Sequence, residues 1–595
     1  MAFFETEEAA EAFTASAQSE YLKNYYRYTD LEYGELTDGI KDEYDAILYN
    51  RIEEIMNAEN AISPEAVKAA GGNCYYVSSV NGDDKNNGLT PETPFETTQA
   101  LWVSKAGGLV QNSKAKAGDA VFFERGSEFY PDYYLNNSKT ALKAADGVSY
   151  SAYGEGEKPR FYGCLNFTEY GDTGEWLETE WENVYELKPE LIDEKPEFRK
   201  GGKNDVGYIA FDDGEYMGIR VYPEDNDNPI GDGKRGQNRG LACNGAEYFP
   251  GRAADLTNPG TALQNDLEFI YDGKEGRIYL YCEGGNPSER FDNIRVPRGG
   301  SPIGGYIENG LYIIEYDTID NLAILYSSDY AVRGGSNITV INCEIGFVGG
   351  TTSSVESGFE AFGSSSGVKL INNFVHDIGD GPLSLQSTEE WDQKPHTIEY
   401  AELADNVVLT SGNGFEIWNH SGFMDGYGNA INTIENLYIH GNIFGYIGWG
   451  LTQRQGYLAK GTVFCTYGEM KNCVNEDNII MYPNGNIYGP HVSSDYVKRG
   501  WQQNSNTYIF NSHSVTRMEF LGSFVTQNSH SYAFKGSKML MDYNYRYLSF
   551  MASVGVDTTS KFYVSDEELT PEQAEGCYFT TGYRIYENLK SKYSK

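Results

Sequence analysis

The sequence predicts an all-β fold, a right-handed parallel β-helix solenoid with a small N-terminal α-helical segment. A repeat of just over 30 residues runs through the second half of the chain. Short strand-like runs bounded by Gly and Asn occupy much of the remainder, and apolar residues at helical spacing are confined to the first part of the chain. A period of this length, with about three short strands in each repeat, favours a parallel β-helix over a propeller.

The repeat is an Asn that is followed eight positions later by a Gly. The four Asn residues are 31, 33 and 36 positions apart (342 to 373, 373 to 406 and 406 to 442). Asn tolerates left-handed backbone at a corner and can hydrogen-bond to the Asn of the next turn, whereas Gly bends without a Cβ clash. We expect structural roles for all four pairs, which are Asn342 and Gly350, Asn373 and Gly381, Asn406 and Gly414, and Asn442 and Gly450.

Residues 1–70 are predicted to be helical. Between Glu43 and Glu59 the apolar residues recur every three or four positions, and Ser63 before Pro64 is typical of a helix N-cap. The segment is too small to have a core of its own, so we expect it to pack against the β structure. The predicted division is 1–70 for the helical segment, 71–575 for the β-helix with a loop and β excursion at about 165–300, and 576–595 for a C-terminal tail.

The composition restricts the partners. Lys and Arg number 46 and Asp and Glu 87, so the net charge is −41 (46 − 87), which disfavours nucleic acid and anionic membranes. The scattered Cys and His residues indicate no metal site, so we expect no metal or cofactor. No apolar run spans a membrane, and the acidic N-terminus lacks the pattern of a secretory signal. We expect a monomer that is extracellular or on the cell surface, with its signal removed, and a cytoplasmic location stays open.

The region after residue 70 has a recognisable order of motifs. A strand with the letters YYVS begins at Tyr75, the loop GLTPETPF follows from Gly88, and the strand motif GDAVFFERG runs from Gly118 to Gly126. This order resembles the opening of right-handed parallel β-helix proteins that act on carbohydrates, in the pectate-lyase-like superfamily. The resemblance covers about 55 residues. It implies the fold and does not imply an activity.

Candidate binding residues follow the repeated glycines. On a β-helix, equivalent positions of successive turns lie about 4.8 Å apart on an outer face. The segments around and after Gly381, Gly414 and Gly450 are rich in amide, aromatic and basic side chains. We predict that the substrate-binding residues are Gln386, Trp418, Asn419, His420, Trp449, Gln453, Arg454 and Gln455.

Glu416 is a candidate catalytic acid. Phe415 and Ile417 flank it, so strand alternation places Glu416 and the next Trp together on the opposite face. A carboxylate beside an indole suits a sugar, because the ring stacks on the sugar while the acid addresses the linkage. A solvated Glu beside a rim Trp is the structural alternative. Leu383 and Leu385 share the column parity of Glu416, which conflicts with leucines in the core and Glu416 outside. A one-residue bulge between the two turns would resolve this conflict.

Asp380 and Asp377 are the other candidate acids. They lie in the segment HDIGDGPLSLQ, and this segment with the preceding run from 342 to 350 is similar to β-helix proteins of gut bacteria. That group includes glycoside hydrolases of the lacto-N-biosidase type. The resemblance implies an acid at Asp380, an amide at Gln386 and a second acid in the next turn at Glu416. For Asp377, which precedes Gly379 at a turn, the alternative is a turn Asp that bonds to backbone.

Two departures from that pattern leave the activity open. The lacto-N-biosidase type uses two Asp residues, whereas the second acid here is Glu416. Pro382 also stands where a smaller residue is expected.

Two carboxyl groups hydrolyse a glycoside in most such enzymes. If Asp380 and Glu416 stack on adjacent turns they lie about 5 Å apart, which suits retention of configuration, whereas an offset of two residues gives roughly 8 Å and suits inversion. We favour retention, with Glu416 as acid/base and Asp380 as nucleophile, the roles being exchangeable. The expected substrate is a neutral oligosaccharide or glycan, such as a milk or mucin oligosaccharide.

Two other functions remain open from the sequence. A polysaccharide lyase acting on a uronic-acid polymer needs a Lys or Arg base and often Ca²⁺, but Arg454 and Lys460 are the only basic residues near the candidate columns. The charge of −41 also favours a neutral glycan over a uronate polymer. A non-catalytic glycan-binding β-helix protein is the third alternative.

Overall fold

The structure is a computed structural model. It describes residues 32–104, 111–130, 141–166, 176–187, 206–223, 252–272, 277–297, 303–304, 306–308, 311–313, 316–327, 330–349, 357–388, 395–420, 432–450, 461–465, 469–483, 501–510, 518–520, 530–532, 561–564 and 580–594. Residues 1–31 of the predicted helical segment lie outside these ranges. In the described part of the chain, no helix is both long enough and apolar enough to cross a membrane.

Four parallel sheets form the main body, and we name them A to D. In spatial order, sheet A contains Glu32–Glu35, Lys561–Val564, Thr507–Phe510, Ile479–Met481, Ile443–Gly445, Val407–Ser411, Phe374–Ile378, Glu344–Val348, Ala323–Ser327, Arg160–Tyr162 and Glu128–Phe129. Sheet B contains Cys74–Val77, Ala120–Glu124, Ser149–Tyr153, Thr318–Asp320, Thr339–Ile341, Lys369–Ile371, Glu402–Ala404, Tyr438–His440, Cys473–Glu476 and Trp501–Asn504. Sheet C contains Gly461–Cys465, Asn413–His420, Leu383–Thr388, Phe359–Phe362, Val332–Gly334, Ile303–Gly304 and Leu142–Lys143. Sheet D contains Ser365–Ser366, Thr397–Glu399, Thr433–Glu435 and Glu469–Lys471.

The chain passes through sheets B, A and C in that order, and we call one such passage a turn. Strands of successive turns pair in parallel, so that Val375 lies opposite Ile345 on one side and Val408 on the other. Alternate side chains of all four sheets enter one buried apolar cluster, as Val375 does from sheet A and Leu385 from sheet C. Since strand side chains alternate in direction, the intervening residues face outward. The predicted all-β class is therefore confirmed as a mainly β structure with extensive parallel sheets.

A row of buried Asn side chains connects successive turns between sheets B and A. Each side-chain amide donates to the side-chain oxygen of the next Asn at 2.9–3.1 Å. The same oxygen accepts the backbone N–H of the preceding Asn. The predicted Asn ladder therefore exists, and its members are Asn373, Asn406, Asn442, Asn478 and Asn506.

Asn342 does not belong to this row, which corrects the predicted phase. Cys343 occupies the ladder position, where its backbone N–H donates to Asn373 Oδ1 at 2.9 Å. Asn342 lies one position earlier, in a column of residues with left-handed backbone, and there Asn372 donates to it at 2.7 Å. The left-handed corner and the ladder are therefore two adjacent columns. The corner column is Asn342, Asn372, Asp405, Gly441, Asp477 and Ser505, with φ between 54° and 65°.

The glycines also differ from the predicted phase. The glycines whose backbone N–H donates to a carbonyl of the preceding turn are Gly349, Gly379, Gly412 and Gly448. They lie one or two residues before the predicted positions. Of the predicted set, Gly450 has left-handed backbone with a φ of 75°. Gly350 lies outside the described residues.

Two long helices pack together on the outer face of sheet A. The N-terminal helix, Asp38–Met56, is capped by Thr37, and the C-terminal helix, Gly582–Tyr593, is capped by Thr581. Their apolar faces share a cluster with outward residues of sheet A, such as Phe374. The predicted helix after Ser63 is Pro64–Ala69. The other helical segments within the described ranges are short, at Thr98–Leu101, Asp212–Gly214, Pro259–Ala262 and Pro287–Arg290.

Between the early and the later turns, the described residues between 164 and 297 form two smaller sheets with apolar clusters separate from the main one. One sheet contains Trp176–Glu178, Val184–Leu187, Arg277–Tyr281, Glu268–Asp272, Ile219–Pro223 and Arg252–Ala254. The other contains Cys164–Asn166, Ile294–Pro297, Ala210–Phe211 and Tyr216–Met217. Three antiparallel hairpins are separate from these sheets, at Tyr306–Glu308 with Leu311–Ile313, Trp102–Ser104 with Gln111–Ser113, and Met518–Phe520 with His530–Tyr532. The domain boundaries given above remain a prediction.

Replacing Asn442 by Ala should destabilise the protein by on the order of 3 kcal/mol. The change removes the donor to Leu403 O at 2.9 Å and the acceptor of the Asn406 N–H, and it leaves both backbone groups buried. Urea unfolding should show the loss. Asn588→Ala, on the exposed side of the C-terminal helix, is the matched control and should change stability by no more than about 0.5 kcal/mol. Equal effects from the two substitutions would contradict the ladder's role.

Candidate active site

The segments that lead into the two candidate strands of sheet C differ in length by one residue. Asn413 lies beside Asp380, to whose carbonyl its N–H donates at 3.1 Å, and Glu416 lies opposite Ser384. Three residues separate Asp380 from Ser384, whereas two separate Asn413 from Glu416. The one-residue bulge required by the sequence is therefore present. Pro382 is one of the three residues in the longer connection, where a residue without an N–H is tolerated.

This bulge sets which side chains face the core. Leu385 and Ile417 are opposite each other and buried in the apolar cluster. Ser384, Gln386 and Glu416 occupy the alternate positions, so they lie on the outward face of the sheet, and all three are buried there. The prediction that Glu416 faces away from the core is confirmed.

Glu416 is held by two neighbours of the preceding turn. The Ser384 hydroxyl donates to Glu416 Oε2 at 3.1 Å, and the Gln386 amide approaches the same oxygen at 3.4 Å. Gln386 also donates to Ser384 Oγ at 3.0 Å, which ties the three side chains together. The carboxylate is 1 % exposed, so these donors replace water around its charge and fix its orientation.

Asp380 immediately precedes Gly381 on the preceding turn and lies opposite Asn413, three residues before Glu416. It is 3 % exposed, and its Oδ1 accepts from the Asn413 amide at 3.0 Å. Gly381 follows it, and a Cβ on Gly381 would lie 2.8 Å from Glu416 Oε2. Only Gly leaves room for this approach. The structure thus places the Glu416 carboxylate against the residue that follows Asp380.

Glu360 extends the column and was missed from the sequence. It lies opposite Ser384, on the outward face of the strand Phe359–Phe362, and Arg333 lies opposite it on the next strand. The column on sheet C is therefore Arg333, Glu360, Ser384 and Glu416 across four strands. The sequence feature that could have identified Glu360 is its place between two core residues, Phe359 and Ala361. The Asn and Gly repeat is indistinct in this segment.

Asp377 is placed differently from the other two acids. It lies on sheet A, where it accepts from Thr410 Oγ1 at 2.7 Å and from the backbone N–H groups of Gly582 and Tyr583 at 2.8 and 3.3 Å. A carboxylate at a helix N-terminus satisfies free N–H groups and complements the helix dipole. This position favours the structural interpretation of Asp377, as the anchor of the C-terminal helix.

His376 is buried between two carboxylates beneath that helix. Its Nδ1 lies 2.8 Å from Asp377 Oδ2, and its Nε2 lies 3.3 Å from Glu344 Oε1. Burial alone would lower the pKa of His376, but the two hydrogen bonds and charges outweigh it and raise the pKa to about 9. Burial likewise opposes ionisation of Glu344, yet the hydrogen bond and charge of His376 hold its pKa below the usual range.

The predicted binding residues are only partly brought to this site. Gln386 contacts Glu416, as described above. Trp449 is 2 % exposed, and its indole N–H donates to the Tyr482 carbonyl at 2.9 Å, so it is packed inside. Trp418, Asn419 and His420 end the strand beside Gln386, but their side chains lie outside what the structure describes. Gln453, Arg454 and Gln455 are outside the described residues. Within the described ranges, no three His, Cys, Asp or Glu side chains form a metal-binding group.

Comparison with known proteins gives a local match to glycoside hydrolases. No family model matches the chain. Over 93 residues, 16% of the chain, it is 36% identical to a lacto-N-biosidase of Bifidobacterium longum subsp. longum, and the match spans 5% of that protein. Among solved structures, a glycoside hydrolase is 10% identical and covers 86% of this chain and 100% of its own, with a TM-score of 0.37. The crystal structure of a GH136 lacto-N-biosidase from Eubacterium ramulus is 12% identical, with coverages of 84% and 69% and a TM-score of 0.28.

Stability should fall as pH rises through the pKa of His376. The folded pKa of about 9 exceeds the ordinary value of 6.5, so the contribution is complete below pH 6.5 and is lost as the pH passes 9. Urea unfolding between pH 6.5 and about 9.5 should show a loss of roughly 3 kcal/mol that His376→Gln lacks. The same slope in both proteins would contradict the paired His376.

Proposed function

We propose that the protein is a glycoside hydrolase whose Asp380 and Glu416 cleave a glycosidic bond on the outer face of sheet C. The observation that carries this proposal is the Glu416 carboxylate held against Gly381, beside Asp380, by Ser384 and Gln386. Two carboxyl groups on neighbouring turns are the minimum that most glycosidases need. The local similarity to a lacto-N-biosidase supports the same reaction class.

We also propose that sheets A to D wind as one right-handed parallel β-helix. Parallel strands of one sheet are joined by right-handed crossovers in about 98% of cases. In sheets A, B and C, parallel neighbours are joined through strands of the other sheets, so this preference applies to these connections. The candidate acids would then lie in a groove that runs along the outside of the solenoid.

The proposed substrate is a neutral oligosaccharide that carries lacto-N-biose, as in milk or mucin glycans. The net charge of −41 and the acidic column on sheet C disfavour a uronate polymer. Such substrates occur outside cells, so an extracellular or cell-surface location is part of the proposal.

We propose Glu416 as the nucleophile and Asp380 as the general acid/base of a retaining reaction, which requires the two carboxyl groups to come within about 5.5 Å when substrate binds, since Asp380 pairs with Asn413 and not with Glu416 along the sheet. Ser384 and Gln386 both approach Glu416 Oε2, and donors on a carboxylate stabilise its ionised form, which a nucleophile requires. Asp380 would protonate the leaving oxygen and then deprotonate the attacking water. This reverses the roles first assigned from the sequence, which treated them as exchangeable.

Asp380→Asn and Glu416→Gln should each lower kcat on lacto-N-tetraose by about 10³-fold with little change in KM. Each variant removes a proton-transfer or nucleophilic group but keeps the shape of the side chain. Chromatography of the released disaccharide measures the rate. Asn588→Ala is the control and should keep full activity. Unimpaired turnover in either carboxamide variant, or a product with the ultraviolet absorbance of an unsaturated sugar, would contradict the proposal.

Azide should distinguish the two roles. With an activated aryl glycoside, Glu416→Ala should accept azide directly at the anomeric carbon and form a glycosyl azide of inverted configuration. Asp380→Ala should instead form the glycosyl–enzyme ester, which azide opens to give a glycosyl azide of retained configuration. Proton NMR of the anomeric signal reads the outcome. The opposite pairing would exchange the roles, and rescue of neither variant would count against double displacement.

A further inference from the structure

A second concave site lies on the outer face of sheet A. It is a cavity of 610 Å³, a volume within the range of small-molecule sites in proteins. The strands Arg160–Tyr162, Ala323–Ser327 and Glu344–Val348 form its floor. The end of the N-terminal helix and the first half of the C-terminal helix form two walls. It lies on a different sheet from Asp380 and Glu416.

Aromatic rings line this cavity on two sides. Tyr162, Tyr326 and Phe347 form a row across the floor, with ring centroids 5.9 and 4.8 Å apart. Tyr583 and Tyr586 of the C-terminal helix face them from the wall, 6.5 Å from each other. The floor rings are at most 2 % exposed and close the cavity from below, whereas Tyr583 is partly exposed and is the ring that a ligand can contact.

The charged side chains around the rings are held in place by hydrogen bonds and ion pairs within the protein. Arg160 is paired with Glu157 at 2.7 Å. The Tyr586 hydroxyl donates to Glu53 at 2.6 Å, and Glu344 is paired with His376 at its back. Pre-organised side chains lose little entropy on binding. The acids of the lining are Glu53, Glu157, Asp213, Glu344 and Glu587, and the bases are Lys158, Arg160 and Lys590.

The mixture of groups identifies the class of ligand. Five acids and three bases give the lining a formal charge of −2, which disfavours anions such as uronic acids. The lining contains both carboxylate acceptors and cationic donors, which suits hydroxyl groups, because each hydroxyl donates and accepts. Lys158 has a sufficient structural role, because it donates to the Asn342 carbonyl at 2.9 Å.

We propose that this cavity is a saccharide-binding site for one or two neutral sugar units, separate from the hydrolytic site on sheet C. Tyr583 packs against the sugar, and the acids and bases of the lining bind its hydroxyl groups. A site of this kind keeps a glycan at the protein surface while a different part of the same glycan reaches sheet C. The inference does not require the hydrolase proposal, because the cavity and its lining are independent of Asp380 and Glu416.

The test fills the cavity with a large side chain introduced on the C-terminal helix. Glu587 lines the cavity, whereas the adjacent Asn588 is exposed on the same helix and does not line it. Glu587→Trp and Asn588→Trp therefore add the same ring to the inside and to the outside. Isothermal titration of the full chain with lactose and with N-acetylglucosamine gives the affinity, and sodium glucuronate is the anionic probe. Thermal unfolding checks that both variants fold.

We expect at least one neutral sugar to bind the wild type, Glu587→Trp to raise its Kd at least tenfold, and Asn588→Trp to leave it unchanged. Glu416→Gln should bind as the wild type does, so a loss of hydrolysis in that variant is a separate result. Asp213→Asn, which keeps a residue suited to the φ of 54° at this position, should also weaken binding and serves if Glu587→Trp does not fold. Binding of neither sugar, equal binding by the two Trp variants, or tighter binding of glucuronate would overturn the proposal.

Discussion

Hydrogen bonding between successive turns is the constraint on which the rest of the structure depends. Where the chain leaves sheet B and enters sheet A, the ladder side chains bond to backbone carbonyl groups of the preceding turn. The amides of Asn373, Asn406 and Asn442 donate to the carbonyls of Val340, Leu370 and Leu403 at 2.8–2.9 Å, so each is satisfied by the following turn. Because a buried polar group without a partner is costly, the Asn side chains fix the position of each turn on the next. The strands of sheet A begin directly after the ladder Asn residues, and the strands of sheet C follow them along the chain.

The candidate active site is an irregularity in that regular frame. Side chains alternate along a strand, so one extra residue between Asp380 and Ser384 exchanges the faces of everything that follows it. With the bulge, Leu385 enters the core and Ser384 meets Glu416 on the outside. Gly381 then gives the Glu416 carboxylate the space it occupies. Without the extra residue, a turn that buried Leu385 in the core would also turn Glu416 toward the core, and a turn that kept Glu416 outside would expose Leu385.

The sequence predicts the class of the fold because the repeat and the strand alternation are local signals. It does not predict the phase, since Asn372 and Asn373 are consecutive and either of them continues the series from Asn342. Only the hydrogen-bond partners separate the corner residue from the ladder residue. The alternation around Glu416 is also local, so its outward direction is predictable.

Other parts of the site depend on contacts that are distant along the chain. Asp377 and Asp380 occupy similar short motifs three residues apart, but Asp377 binds the N–H of Gly582, 205 positions later. No pattern around residue 377 contains that information. Glu360 is found only through its register with Ser384, because the turn that carries it lacks the ladder Asn and has Cys343 in its place.

The pairing of the two long helices has a consequence for the order of folding. Tyr586 bonds to Glu53 across 533 positions of sequence, and both helices cover the same strands of sheet A. During synthesis the N-terminal helix emerges early, yet its apolar face has no complete cover until the C-terminal helix has left the ribosome. The turns between them can stack one after another as they appear, since each needs only its neighbour. Closure of the helix pair is then a late step with high contact order, and a chain truncated before residue 582 would keep its parallel sheets while exposing Phe374 and the face of the first helix.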